Sequence, residues 1–179
     1  QFGTIYATAT LASSFSLIWI GKKIDDFKLI NFSIGVIFLL FFSSIFFSII
    51  NTIYLLFIGI YLLRLSGQGL MSHTATTSIS RYFSLNRGKA LSATWLGLSS
   101  AEFILPITIV FFLSIYSWRS IWMLIALVII LFLPLISYLT VKNIKLSSRE
   151  KVKGSLKKNN IKNWKRKEVL FDPKFYLIS

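Results

Sequence analysis

The sequence predicts an all-α membrane protein, a polytopic bundle of five transmembrane helices followed by the start of a sixth. Five mainly apolar stretches carry this prediction, at residues 2–20, 29–50, 53–79, 89–114 and 119–141. Each can cross a bilayer, because about 20 mainly apolar residues span roughly 30 Å of hydrocarbon. With 55% hydrophobic residues and 17 Phe among 179 residues, the chain has more apolar surface than a water-soluble domain of this size can bury.

The positive charges predict which side of the membrane each connection faces. Of the 20 Lys and Arg residues, 18 lie in residues 22–28, 81–89 and 142–174, whereas the connections near Asn51 and Tyr116 hold Arg119 alone. Short loops rich in Lys and Arg lie on the cytoplasmic side, so the first helix is predicted to run from the outside inward. The net charge of +14 is explained by this topology, and no nucleic-acid partner is predicted.

Turn residues and small residues predict how the spans are separated and packed. Gly21 is predicted to end the first helix, Asn51-Thr52 to separate the second from the third, and Ser117 to separate the fourth from the fifth. The first and third helices are rich in Gly, Ala and Ser, which allow close contact between helices in lipid. The second helix is rich in Phe, and we expect it to face lipid over much of its circumference.

The C-terminal part of the chain divides into two predicted segments. Residues 142–170 are polar and Lys-rich, which predicts a flexible basic cytosolic linker. Asp172-Pro173 fits a helix N-cap followed by Pro in the first turn, so residues 171–179 are predicted to begin the next transmembrane helix. The chain does not begin with Met and stops within an apolar run. We therefore expect residues 1–141 to form part of the transmembrane bundle of a longer protein.

Three ionisable side chains lie within the predicted spans, namely Arg64, His73 and Glu102. A charge at the centre of a membrane helix costs about 2.5 to 3.5 kcal/mol, so such groups occur mainly beside a cavity or a partner. Arg64 and Glu102 both lie near mid-depth, and two interpretations are open. Either Arg64 binds a carboxylate and Glu102 carries a proton, or the two residues form a structural ion pair that determines helix register.

Helical periodicity adds further residues to the predicted site. At about 100° per residue, Gln68 and Met71 lie on the same face as Arg64, whereas His73 lies on the opposite side. We therefore predict a substrate-binding set of Arg64, Gln68, Met71 and Glu102. His73 lies close to several Thr residues and is interpreted as a hydrogen-bonded packing residue.

Four short motifs resemble those of the major facilitator superfamily. They are Gly21-Lys22-Lys23-Ile24-Asp25, Arg64-Leu65-Ser66-Gly67-Gln68-Gly69, the junction of Arg81-Tyr82-Phe83 with Arg87-Gly88-Lys89-Ala90, and Trp118-Arg119. In that family they lie in the loop after helix two, in helix four, at the junction of helices four and five, and before helix six. The resemblance implies that the chain holds helices two to six, the central cytosolic loop and the start of helix seven. It also implies transport by alternating access of two halves.

The resemblance further implies a conformational latch at the cytoplasmic surface. Asp25 resembles the loop acid that contacts basic residues at the inner end of helix four, where Arg81 is the candidate. Gly21 and Arg87 belong to the same two motifs and are assigned to the latch with them. Such a contact favours the outward-open state.

The function predicted from the resemblance is secondary active transport of a small organic anion. The Arg-x-x-Gly-Gln-Gly segment is similar to that of bacterial monocarboxylate and oxalate/formate carriers, which implies a monomer in the bacterial cytoplasmic membrane, with proton coupling left open. A drug or multi-substrate efflux carrier is an alternative, although Leu105-Pro106-Ile107 lacks the Gly-Pro pair of many drug/proton antiporters. A third possibility is a scaffold subunit whose buried charges serve only helix association.

Enzymatic chemistry is not predicted for this chain. It has no Cys, no HExxH and no GxSxG pattern, and its single His argues against a catalytic triad or a metal centre. We therefore predict no catalytic residue, no metal ligand and no cofactor. A membrane-embedded enzyme would need a cluster of acids or His near one membrane interface, and the sequence does not contain one.

Overall fold

The computed structural model describes residues 2–83 and 87–143, apart from the side chains of Asp25, Tyr82 and residues 140–143. The elements are α1 (Phe2–Lys22), a 3-10 turn (Lys23–Asp25), α2 (Leu29–Ser48), α3 (Ile53–Leu63), a π-helical segment (Arg64–Met71), α4 (Ser72–Tyr82), α5 (Arg87–Leu113) and α6 (Trp118–Asn143). No strand occurs in these two ranges. The predicted all-α fold is therefore confirmed.

Five helices in the described ranges are long and apolar enough to cross a membrane. They are Phe2–Lys22, Leu29–Ser48, Ile53–Arg81, Arg87–Leu113 and Trp118–Leu139, with mean hydropathies of 1.2, 2.3, 1.5, 2.0 and 2.7. The third joins α3, the π-helical segment and α4 into one continuous span. The five predicted spans agree with these helices to within a few residues. Apart from the end of α6, the predicted linker at 142–170 and helix start at 171–179 lie outside the described residues.

The Phe-rich helix α2 is packed more closely than its composition predicts. It contacts α6 extensively, and the ring centroids of Phe47 and Trp122 are 4.6 Å apart. The buried face of α2 is rich in Ser, namely Ser33, Ser43, Ser44 and Ser48, and each hydroxyl donates to a carbonyl of its own helix. Phe38 and Phe42 of α2 are exposed, whereas its Ser-rich face packs closely, because these small, internally satisfied side chains allow close helix contact.

Small residues bring α1 and the third span together, as predicted. A Cβ added at Gly69 would lie 3.3 Å from Leu17 Cδ1, and one added at Gly21 would lie 3.4 Å from His73 Cδ2. Gly21 was expected to end α1, but it lies inside the helix, which continues to Lys22. No described residue has a positive φ. The role of Gly21 is therefore to allow close approach of His73.

The turns on the predicted outer side are held by specific hydrogen bonds. Thr52 caps α3, because its hydroxyl accepts from the Leu55 backbone N–H at 3.4 Å. Arg119 joins the two outer turns: its Nη2 donates to Asn51 Oδ1 at 2.6 Å and to the Ile50 carbonyl at 3.3 Å. Its guanidinium also lies 4.5 Å from the centroid of the Trp118 ring. The end of α2 and the start of α6 are therefore linked.

Candidate functional site

Arg64 begins the π-helical segment and lies against α1. Its Cζ atom is 4.5 Å from the centroid of the Tyr6 ring, a cation–π contact. Its guanidinium makes no hydrogen bond and no ion pair with the described residues. The five N–H donors of this half-buried side chain are therefore available to a ligand.

One cavity beside Arg64 is lined mostly by polar residues and has a volume of about 250 Å³. We call it the polar cavity; its lining residues are Thr10, Ser13, Ser14, Leu17, Arg64, Gln68 and Gly69. The α1 hydroxyls donate to carbonyls of their own helix, as from Thr10 to Tyr6 at 2.7 Å. Each hydroxyl keeps lone pairs that can accept from a ligand, and it can rotate to donate to one. Arg64 and Gln68 are the side chains with N–H donors in this lining.

A second cavity beside Arg64 is lined by aromatic and aliphatic side chains. We call it the apolar cavity; it measures about 260 Å³, and its lining residues are Phe2, Tyr6, Phe47, Ile60, Leu63 and Arg64. Arg64 is the one residue that lines both cavities. Arg64 therefore lies where the two cavities meet.

The local helix geometry separates residues that the sequence placed on one face. Arg64 and Gln68 line the polar cavity together, but Met71 packs against the buried cluster of Val36, Leu65 and Leu70. Met71 also lines a cavity toward α5, with a different set of side chains. In a π-helix each turn is wider than in an α-helix, with i→i+5 hydrogen bonds. The 100° spacing therefore does not hold across residues 64–71.

Glu102 lies on α5 and is exposed. It lines neither the polar cavity nor the apolar cavity, and it has no hydrogen bond or ion pair with the described residues. None of the residues of α5 is buried. The structure therefore does not bring Glu102 and Arg64 together within residues 2–83 and 87–143.

Three of the four residues assigned to the latch, Gly21, Asp25 and Arg81, lie at or near the 3-10 turn that follows α1. Arg81, at the end of α4, donates from Nη2 to the Ile24 carbonyl oxygen at 3.1 Å. Asp25 ends the same turn, but its side chain is outside the described part of the chain. Gly21 lies one turn earlier and accepts a hydrogen bond from His73 Nε2 at 3.2 Å, so His73 is the packing residue that was predicted. Arg87 is exposed at the start of α5.

Sequence reasoning missed three features of this region. The contact of Tyr6 with Arg64 and the 2.7 Å hydrogen bond between Ser16 Oγ and Tyr61 Oη both depend on the parallel alignment of α1 with the third span. The π-helical segment was the third. A weak signal for it was the run of Ser66, Gly67 and Gly69, because Gly and Ser lower helix propensity.

The comparison with known proteins gives one match. A family model described as Major Facilitator Superfamily matches residues 1–179. No curated protein matches the chain, and no solved structure matches it. The family match covers every described helix, including the π-helical segment with Arg64.

Proposed function

The chain belongs to the Major Facilitator Superfamily, a family of multi-pass membrane transporters, and from that membership we propose that it carries a small organic anion by alternating access. The membrane transporter class follows from the family match and from the five apolar helices. The anion, the mechanism and the residues involved are our proposal. Arg64 and Gln68 bind the carboxylate, and the α1 hydroxyls of the polar cavity complete its coordination.

The environment of Arg64 is the observation that carries this proposal. A guanidinium in the middle of an apolar span is costly unless it faces a cavity or a partner. Arg64 faces a cavity and has no hydrogen-bonding partner in the described residues. Its planar fork of donors matches the two oxygens of a carboxylate. A purely structural arginine would have its donors satisfied by carbonyls or by an acid, as Arg119 does at the outer turns.

We propose Glu102 as the group that couples transport to protons. It is the acidic residue of α5, and it lies near the middle of a 27-residue helix. Burial of a carboxylate in a low-dielectric environment favours its protonated form. A change in exposure of α5 during the transport cycle would therefore bind or release a proton at Glu102.

We also propose the orientation of the protein in the bacterial cytoplasmic membrane, where it acts as a monomer. The predicted linker at 142–170 lies in the cytosol, because 12 of the 20 Lys and Arg residues lie between residues 142 and 174. A Cys placed at Ser155 should react with an impermeant thiol reagent only after the membrane is opened. Reaction in intact cells would contradict this topology.

Uptake by proteoliposomes tests the proposed function. The full-length protein should accumulate radiolabelled small carboxylates, and an imposed inward proton gradient should increase the rate. Neutral amides of the same size should not be transported. Uptake of cationic dyes in place of carboxylates would favour the efflux alternative, and uptake of nothing in folded, inserted protein would favour a scaffold subunit.

A further inference from the structure

The two cavities that meet at Arg64 differ in chemistry and have nearly equal volume. The polar cavity measures about 250 Å³ and the apolar cavity about 260 Å³. When the charged group of a ligand contacts Arg64 from the polar cavity, the rest of the ligand lies in one of these two cavities. A ligand with no apolar part, such as a small dicarboxylate, makes no use of the second space.

The apolar cavity is large enough for an aromatic ring. An enclosed apolar cavity of about 150 Å³ binds benzene in another protein, and the cavity beside Tyr6 and Phe47 is larger and more open. Apart from Arg64 and the Tyr6 hydroxyl, its lining is apolar. Phe47 and Tyr6 also contribute aromatic rings to the lining, and aromatic pairs interact favourably.

The contact between Tyr6 and Arg64 leaves the charged group able to bind a carboxylate. The five N–H donors of a guanidinium lie in its plane, whereas the Tyr6 ring attracts the cation through its π-system at 4.5 Å. Tyr6 therefore holds the guanidinium beside the apolar cavity. It also contributes to the apolar lining on the side where the tail of a ligand would lie.

We propose that the substrate is a monocarboxylate with a bulky apolar group, such as an aryl or branched-alkyl carboxylate. Its carboxylate binds Arg64 and Gln68, and its apolar group occupies the space lined by Tyr6, Phe47 and Leu63. This inference rests on the proposed function, since it assigns the part of the substrate that the anion site does not recognise. The apolar cavity then acts as the specificity subsite.

A matched set of ligands separates the two parts of the site. Binding to the full-length protein is measured by displacement of radiolabelled phenylacetate, with unlabelled phenylacetate, acetate and phenylacetamide as competitors. Phenylacetate should bind at least about 100-fold more tightly than acetate, because even a single methylene in an apolar pocket changes affinity by roughly 10- to 200-fold. Phenylacetamide, which has the ring and no charge, should compete poorly.

A substitution in the apolar cavity provides the second measurement. Leu63→Trp should weaken phenylacetate binding by at least about tenfold and by clearly more than it weakens acetate binding, because the larger ring fills the tail subsite. The matched control is Leu131→Trp at an exposed position of α6, which should change neither affinity.

The outcomes distinguish failure of this inference from failure of the proposed function. Equal affinities of the wild-type protein for acetate and phenylacetate, both lost on substitution of Arg64, would overturn the tail subsite and keep the anion site. Equal weakening of both ligands in a Leu63→Trp protein that inserts and elutes normally would likewise overturn it. Absence of binding by any carboxylate would overturn both proposals.

Discussion

Arg64 and Glu102 lie at similar depths in two predicted spans, but the helices around them differ. The π-helical segment around Arg64 has three buried residues, and α1 and α2 both approach its glycines closely. Helix α5 around Glu102 has none. Added Cβ atoms at Gly88 and Gly97 of α5 would meet nothing within 4 Å. A charge at mid-depth therefore indicates a formed site only where neighbouring helices approach closely enough to line a cavity.

The difference also explains why the two residues are assigned different roles. Arg64 has a Tyr ring and a lined cavity beside it, so its geometry is already suited to binding. Glu102 is exposed and has no partner in the described part of the chain. A group whose surroundings can change is suited to a proton that must be bound and released.

The largest expected effect is on transport by Arg64 variants. Arg64→Lys keeps the charge but loses the bidentate fork, and hydrogen bonds to charged groups contribute about 1.5 to 3 kcal/mol. We therefore expect kcat/KM for carboxylate uptake to fall roughly 10- to 150-fold, and further in Arg64→Ala. The matched control is Arg119→Lys, where a single ammonium can still donate to Asn51.

Membrane insertion and elution of detergent-solubilised protein should be normal for Arg64→Lys and Arg119→Lys. Near-normal uptake by both Arg64→Lys and Arg64→Ala would remove Arg64 from the site. It would also remove the proposed functional difference between the two regions, because the closely packed π-helical segment would then carry no binding site. Loss of folded protein in Arg64→Lys alone would instead assign the guanidinium to structure.

Part of this arrangement was predictable from the sequence because it depends on local pattern. The five spans follow from apolar length, and Arg64 with Gln68 follows from their spacing of four residues. Met71 was predicted to lie on the same face because an α-helical period was assumed. The π-helical turns place Met71 on a different face from Arg64. Tyr6 could not be assigned, because its contact depends on the relative alignment of two helices separated by α2, which no local pattern encodes.

A pair of glycine substitutions should give the second largest effect. A Cβ at Gly59 would meet Ile50 Cδ1 and lie 2.9 Å from Phe47 Cδ2, so Gly59→Ala overpacks the contact between α2 and α3. We expect a loss of about 1 kcal/mol, at the low end for overpacking, because flexible side chains can move. Gly97→Ala on α5 is the control and should be neutral or slightly stabilising, since Ala is the better helix former.

The measurement for both variants is the free energy of unfolding in mixed detergent micelles. A larger loss of unfolding free energy for Gly97→Ala than for Gly59→Ala would show that α5 is packed more closely than the contact between α2 and α3. A loss of similar size in both would show that α5 is as tightly packed in the intact protein as the third span.

A smaller effect is expected at the outer turns. Arg119→Gln removes the charged donor to Asn51 Oδ1 and the Ile50 carbonyl. Because this group is exposed, we expect a loss of only about 0.5 kcal/mol of unfolding free energy. Asn51→Ala should cost a similar amount, and the double variant should cost less than the sum of the two. Strict additivity would show that the two residues act independently.

The smallest effect on stability is expected for Glu102→Gln, which is also the sharpest test of the comparison. Because α5 has no buried residue among those described and Glu102 has no partner there, the unfolding free energy should change by less than about 0.5 kcal/mol, as for other exposed substitutions. Carboxylate binding should be retained, since Glu102 lines neither cavity at Arg64. Stimulation of uptake by a proton gradient should be lost, because the amide cannot bind and release a proton.

A folded variant that keeps this stimulation would exclude Glu102 as the proton carrier, whereas a variant that fails to fold would show that Glu102 has a structural partner in the intact protein.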